Sequence, residues 1–177
     1  MVEFHRPCLL DVHQHRRDEF DCGDASLNDW LQRYAGQNRR RDTAATWVVA
    51  DDQSRVAAYA CVSMTSIDRS AAPQRLAKGA PARVPGLLIG RLGVDQRADG
   101  HGLGTALVHC ILRKAVEINV MAACRAVVVN ALNPGAVRWW QRFGFVPFDP
   151  NDESNLDLYL LTGVIERTLA EASDRLG

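Results

Sequence analysis

The chain has 177 residues, 47% hydrophobic and 24% charged, with 21 basic side chains against 21 acidic. That balance is the composition of a water-soluble globular protein; it excludes a uniformly basic nucleic-acid binder and leaves room for a local patch. No run approaches the ~18 apolar residues of a membrane span, and the opening Met1-Val2-Glu3-Phe4-His5-Arg6-Pro7 lacks the apolar core of a secretion signal.

At roughly 150 residues per domain the length predicts a single domain over 1–177. Cysteines stand at 8, 22, 61, 110 and 124. An odd count without a C-x-x-C pair predicts reduced thiols and a cytoplasmic protein. His13-x-His15 has chelating spacing on a strand, but a solvated edge is the plainer reading, and no metal is expected. Nineteen of the basic residues are Arg, which suits phosphate ligands and equally a GC-rich genome.

In chain order, Ser26-Leu27-Asn28-Asp29 predicts a helix start with Ser26 as cap and Asp29 in the box position. Leu27, Trp30, Leu31 and Tyr34 follow as an apolar stripe, and the helix runs to about residue 40. Residues 46–50 and 56–64 read as a hairpin around the turn at 51–54. A short helix at 73–78 precedes a loop. Leu87–Val94 is a largely apolar run, expected of a buried strand; its glycines suggest a bulge or a close backbone approach. Leu103, Leu107, Cys110 and Ile111 mark a helix of about 16 residues. Residues 126–131 form the next strand, Pro134 opens a helix over 134–142, and Phe145–Phe148 and Leu156–Leu161 are the last strands. A terminal helix covers 164–175. The alternation predicts an α/β protein with helices around a central sheet.

The segment Val94-Asp95-Gln96-Arg97-Ala98-Asp99-Gly100-His101-Gly102-Leu103-Gly104-Thr105 joins a strand directly to a helix. Gly100 and Gly102 let the backbone curl so that successive N–H groups face one concavity ahead of the helix dipole, a phosphate-binding arrangement. A Walker A loop needs Gly-Lys-Ser/Thr, and Gly104-Thr105 has no lysine between. A dinucleotide fingerprint needs a third glycine where Thr105 stands.

Arg97-x-x-Gly100-x-Gly102 resembles the Q/R-x-x-G-x-G/A signature of the GNAT acetyltransferases. Asn133-x-x-Ala136-x-x-x-Trp140-x-x-Phe143-Gly144-Phe145 is similar to their N-x-x-A-x-x-x-Y-x-x-x-G-F motif. Phe20-Asp21-Cys22-Gly23 through Trp30-Leu31 resembles the F-D-C-G-x-x-x-L-D-x-W-L opening of GNAT toxins from type II toxin-antitoxin modules, and Gly90-Arg91-Leu92-Gly93-Val94 resembles their G-R-L-A-V strand. The resemblance spans about residues 5–162, leaving a C-terminal helical tail at 163–177. It implies a GNAT fold with a mixed central sheet. It also implies acetyl transfer from acetyl-CoA to the α-amino group of an aminoacyl-tRNA, a halt to translation, a ribbon-helix-helix antitoxin and a homodimer.

On this reading the backbone of Leu92, Gly93 and Val94 serves the thioester and pantetheine arm. Arg97, Gly100, His101, Gly102, Leu103, Gly104 and Thr105 hold the diphosphate. Asn133 is a CoA contact or a helix cap. Trp140 stands where the family has a tyrosine; an indole N–H donates a hydrogen bond but has no usable acid proton, and Tyr59 and Tyr159 are candidate replacements. For a phosphate-bearing acceptor, Arg39, Arg40, Arg41, Arg83 and Arg91 are the candidate contacts, with Arg33, Arg75 and Lys78 beside them and solvated surface as the alternative for most. Two other functions stay open: acetylation of a small amine or protein N-terminus, and a weakly active or inactive CoA-binding module suggested by Trp140.

Overall fold

Apolar residues at 56–62 are buried on both faces, whereas 63–68 alternate between half-buried and exposed, so one strand passes from the core to a two-sided edge. In the computed structural model, which describes residues 2–174, the strands are β1 (Cys8–Leu9), β2 (Ala45–Ala50), β3 (Val56–Asp68), β4 (Arg83–Val94), β5 (Ala126–Asn130), β6 (Val146–Pro147) and β7 (Asp157–Leu161). Their order is β1-β2-β3-β4-β5-β7-β6; the mixed sheet flanked by helices is the one the resemblance implies, whereas β1 has no counterpart among the predicted strands. The helices are α1 (Ala25–Asp29), α2 (Ala35–Arg40), α3 (Gln74–Ala77), α4 (Leu103–Met121), α5 (Pro134–Gln141) and α6 (Thr162–Asp174). Among the described residues no helix is long and apolar enough to cross a membrane.

The chain divides into two compact units, one of Met1–Ser63 with Ile89–Ile111, the other of Met64–Leu88 with Leu112–Gly177. In the first, β2 pairs antiparallel with β1 (Cys8↔Val48) and β3 (Thr46↔Cys61). Phe20, Trp30, Leu31, Val48, Val56 and Tyr59 make its core. In the second, β7 pairs antiparallel with β5 and β6, and Leu76, Val84, Ala126, Val128 and Tyr159 are buried together.

Several elements differ from expectation. Asp24, not Ser26, caps the first helix: its carboxylate accepts the amides of Ser26 and Leu27 at 2.8 and 3.1 Å, and negative charge there complements the helix dipole. Asp29 instead pairs with Arg33 at 2.8 Å. The helix to residue 40 is not uniform. A π turn, Trp30–Tyr34, separates α1 from α2, and the Ala35 amide closes it on the Trp30 carbonyl.

The expected strand 145–148 shrinks to Val146–Pro147, although the Phe148 amide still donates to the Asp157 carbonyl at 2.8 Å. His13 lies in a turn rather than on a strand, and His15 Nδ1 accepts the Asp11 amide at 3.0 Å. α6 starts at Thr162, whose hydroxyl donates to the Cys124 carbonyl; the predicted helix end at Arg175 lies outside the described residues.

Candidate functional site

In the first unit the loop after β4 is organised by Asp95, which is 2% exposed. Its amide donates to the Ala57 carbonyl at 2.8 Å. Its carboxylate accepts the Arg97 amide, Arg97 Nε and Nη2, and the Asp21 amide, all within 3.1 Å. Burial pushes the Asp95 carboxyl up, but the hydrogen bonds and charge of Arg97 outweigh it and hold the group below the usual carboxylate range. Arg97 Nη2 also donates to the Glu19 carbonyl at 2.9 Å. The Arg97 guanidinium is thus committed to the protein, and what the loop has to offer a phosphate is backbone.

Gly100 and Gly102 have φ of +79° and +71°. A Cβ at either would meet nothing within 4 Å, so the left-handed backbone, not crowding, requires glycine. The Gly100 amide donates to Asp99 Oδ1 at 2.9 Å and is withdrawn from the concavity. His101 turns its ring onto the loop, with Nδ1 at 3.2 and 3.1 Å from the Ala98 and Asp99 carbonyls and an edge contact to Phe4. The first ladder bond of α4 runs from the Ala106 amide to the Gly102 carbonyl at 3.0 Å. The amides of Leu103, Gly104 and Thr105 therefore have no intrahelical carbonyl. Three outward N–H groups at the positive end of a 19-residue helix suit a diphosphate.

Arg91, half-buried on β4, lays its guanidinium over Trp30 at 4.9 Å, a cation–π contact. Trp30 in turn stacks on Tyr59 at 5.8 Å. Cys61 borders the same group; burial pushes its thiol up to about 11, with Arg91 opposing. Tyr59 is fully buried and donates its hydroxyl to the Leu27 carbonyl at 2.8 Å; burial raises its phenol well above the ordinary value. It does not supply the missing acid. Gly93 lies against Tyr59 Cε1, Cys22 Sγ and Phe20 Cζ, where a Cβ would stand 3.2–3.4 Å away, which is the close approach expected of this strand.

Among the candidate acceptor contacts, Arg39 and Arg40 are exposed at the end of α2, with Arg41 as its C-cap. Arg33 is tied to Asp29.

In the second unit Asn133 is the N-cap of α5 and accepts the Ala136 amide at 2.9 Å, so the cap role holds. Trp140 is 7% exposed and sits edge-on to Trp139 and Phe145 at 4.9 and 5.2 Å. Tyr159 is buried on β7 against Phe148. Arg83 belongs to this unit, bound to Ser66 Oγ at 3.0 Å and 3.9 Å from Asp68. Sequence reasoning passed over Asp95 and Asp24; the signal available was an aspartate two residues before an amide that needs a partner.

The model of the acetyltransferase (GNAT) family matches residues 9–145. The chain belongs to the GNAT acetyltransferase family. This GNAT protein is 30% identical over 141 residues to a tRNA-acetylating toxin of Mycobacterium tuberculosis, covering 80% of this chain and 84% of that one. Its fold matches AtaT complexed with acetyl-methionyl-tRNAfMet with a TM-score of 0.84 at 22% identity, covering 94% of this chain and 99% of the other. A mutant AtaT toxin bound to the C-terminus of the antitoxin AtaR and acetyl-CoA matches with a TM-score of 0.79 at 21% identity, covering 95% and 99%. The GNAT assignment also makes the chain an N-acetyltransferase.

Proposed function

We propose that this GNAT protein transfers the acetyl group of acetyl-CoA to the α-amino group of an aminoacyl-tRNA, acting in the cytoplasm as the toxin of a toxin-antitoxin pair. The observation that carries the reading is the β4–loop–α4 junction, with its uncommitted amides at 103–105, in a chain 30% identical to a tRNA-acetylating toxin. AtaT complexed with acetyl-methionyl-tRNAfMet and a mutant AtaT bound to an antitoxin segment support the same assignment by analogy. A ribbon-helix-helix antitoxin and a homodimer belong to the proposal.

When bound, acetyl-CoA supplies an activated acetyl thioester. The amides of Leu103, Gly104 and Thr105 take its diphosphate, with Gly100 and Gly102 shaping the turn and Arg97 and His101 bracing it from behind. Backbone groups of Leu92, Gly93 and Val94 accept the pantetheine arm and polarise the carbonyl. Arg91, with its charge fixed over Trp30, faces the acceptor, and Asn133 sets the start of α5. An α-amino group with a pKa of ~7.7–8.0 is partly neutral at physiological pH, so no strong base is required. Trp140 provides no acid proton; a thiol pKa of ~8.5 lets the thiolate leave without one, more slowly.

Mass spectrometry of charged tRNA incubated with the protein and labelled acetyl-CoA tests the reading. Acetyl label on the amino acid is expected, and growth arrest on expression is expected to be relieved by co-expressing the antitoxin. Label only on small amines or protein N-termini would replace the substrate. Trp140 favours a second reading, a slowed or inactive CoA-binding module, which acetyl-CoA binding without turnover on any amine would establish.

A further inference from the structure

Glycine inside a helix is disfavoured, yet Gly36 is a buried residue of α2. A Cβ there would stand 3.0 Å from Val12 Cγ1, 3.6 Å from Arg40 Nη1 and 3.8 Å from Arg17 Nη1. The bare Cα therefore lets the 12–17 segment lie against the helix, and two guanidinium groups, 23 residues apart in sequence, each reach within 4 Å of the place that Cβ would take. Arg33 and Arg97 of the same unit are tied to carboxylates at 2.8 Å. Arg17 and Arg40 meet none within ion-pair distance among the described residues.

Arg17 is half-buried and Arg40 exposed; two like charges with no carboxylate between them repel one another until an anion bridges them, and the planar Arg fork matches a phosphate's oxygens. A cavity of about 430 Å³ opens beside Arg17, lined by the 12–18 segment and Gln32.

We infer that Arg17 and Arg40 form a clamp for one phosphodiester of an RNA backbone, placed by the glycine at 36. The inference rests on the aminoacyl-tRNA reading for its ligand and extends it to a particular contact that the resemblance did not supply. Neither residue is assigned a chemical step; the clamp positions the acceptor.

The test is binding of uncharged tRNA by fluorescence anisotropy across a range of salt, for the parent protein and for Arg17→Gln with Arg40→Gln. The double variant should bind at least about tenfold more weakly at low salt, with the slope of log K against log salt shallower by about one to two. Lysine at both positions should restore the slope while leaving affinity below the parent's, because the charge returns without the fork. Thermal melting reports that each variant is folded. Parent-like affinity and slope in the glutamine variant would overturn the clamp, as would a loss of affinity matched by a loss of melting temperature. Acetylation of charged tRNA is scored separately. A protein that binds tRNA through these arginines but never acetylates it keeps the clamp and loses the catalytic reading; the converse keeps the chemistry and loses the clamp.

Discussion

Asp95 and Arg97 close a ring across two residues: Nε and Nη2 of the arginine reach the two carboxylate oxygens at 2.9 and 2.8 Å, while the same carboxylate accepts the Arg97 amide. The arginine of the glycine-loop signature thus shapes the loop from behind. Asp95 is 3% exposed by side chain and Arg97 is 55% exposed, so the pair is half in water and its strength comes from geometry more than from a dry interior.

Asp95→Asn keeps the shape and removes the charge. It should cost about 1.5–3 kcal/mol, the range for a hydrogen bond to an ionised group, read by urea unfolding. Calorimetry should show weaker acetyl-CoA binding. Parent-like stability would show that the pair does not order the loop.

Acid should act through the same carboxylate. The Asp95 carboxyl is lower when folded than the ~3.9 of an unfolded aspartate, so its contribution is complete above about pH 4 and is lost as pH falls through the depressed value. Asp51, held down by Arg55 and the amides of Arg55 and Gln53 despite burial, adds in the same direction. Unfolding free energy measured between pH 6 and pH 3 should fall, and fall less in Asp95→Asn. A pH-independent parent would refute the assignment.

Trp140→Tyr restores a phenol at the position where the family has one. Turnover on charged tRNA should rise, within the roughly 10²–10⁴-fold that general acid catalysis contributes. Equal or lower turnover with intact folding would separate position 140 from the leaving thiolate. Trp140→Ala, which empties an aromatic site at 7% exposure, should instead destabilise by about 3–5 kcal/mol.

Tyr59→Phe removes the hydroxyl that bonds the Leu27 carbonyl. The Leu27 carbonyl keeps the Trp30 amide, so stability should drop by about 0.5–1.5 kcal/mol, the net worth of one hydrogen bond. The pH profile of turnover should not move. A changed profile would return Tyr59 to the list of proton donors.

Two glycines of β4 should respond oppositely to alanine. At Gly86 a Cβ would meet the Ala126 carbonyl oxygen at 3.0 Å, and backbone cannot step aside; a loss of about 1–3 kcal/mol is expected. At Gly90 nothing lies within 4 Å, and alanine should be neutral or stabilise by up to about 1 kcal/mol through the unfolded chain. Thermal melting of the two variants distinguishes them.

The sequence by itself determined the approximate places of the helices, of the strands after β1 and of the glycine turn before α4, because periodicity, proline and left-handed glycine act within a few residues of chain, and its motifs carried the resemblance to the family. It placed the helix at 134–142 from Pro134 and Asn133, and the structure keeps both roles. It missed the cap at Asp24 and the π turn at Trp30–Tyr34, since Ser26 and Asp24 offer similar local chemistry and the packing of Trp30 on Tyr59 and Arg91 lies outside any local pattern. What tertiary structure alone decided is which charges are neutralised. The Asp21 amide reaches the Asp95 carboxylate across 74 residues, and Arg17 and Arg40 both come within 4 Å of the place a Gly36 Cβ would take; no local pattern encodes such meetings, because they depend on where the folded backbone brings distant segments together.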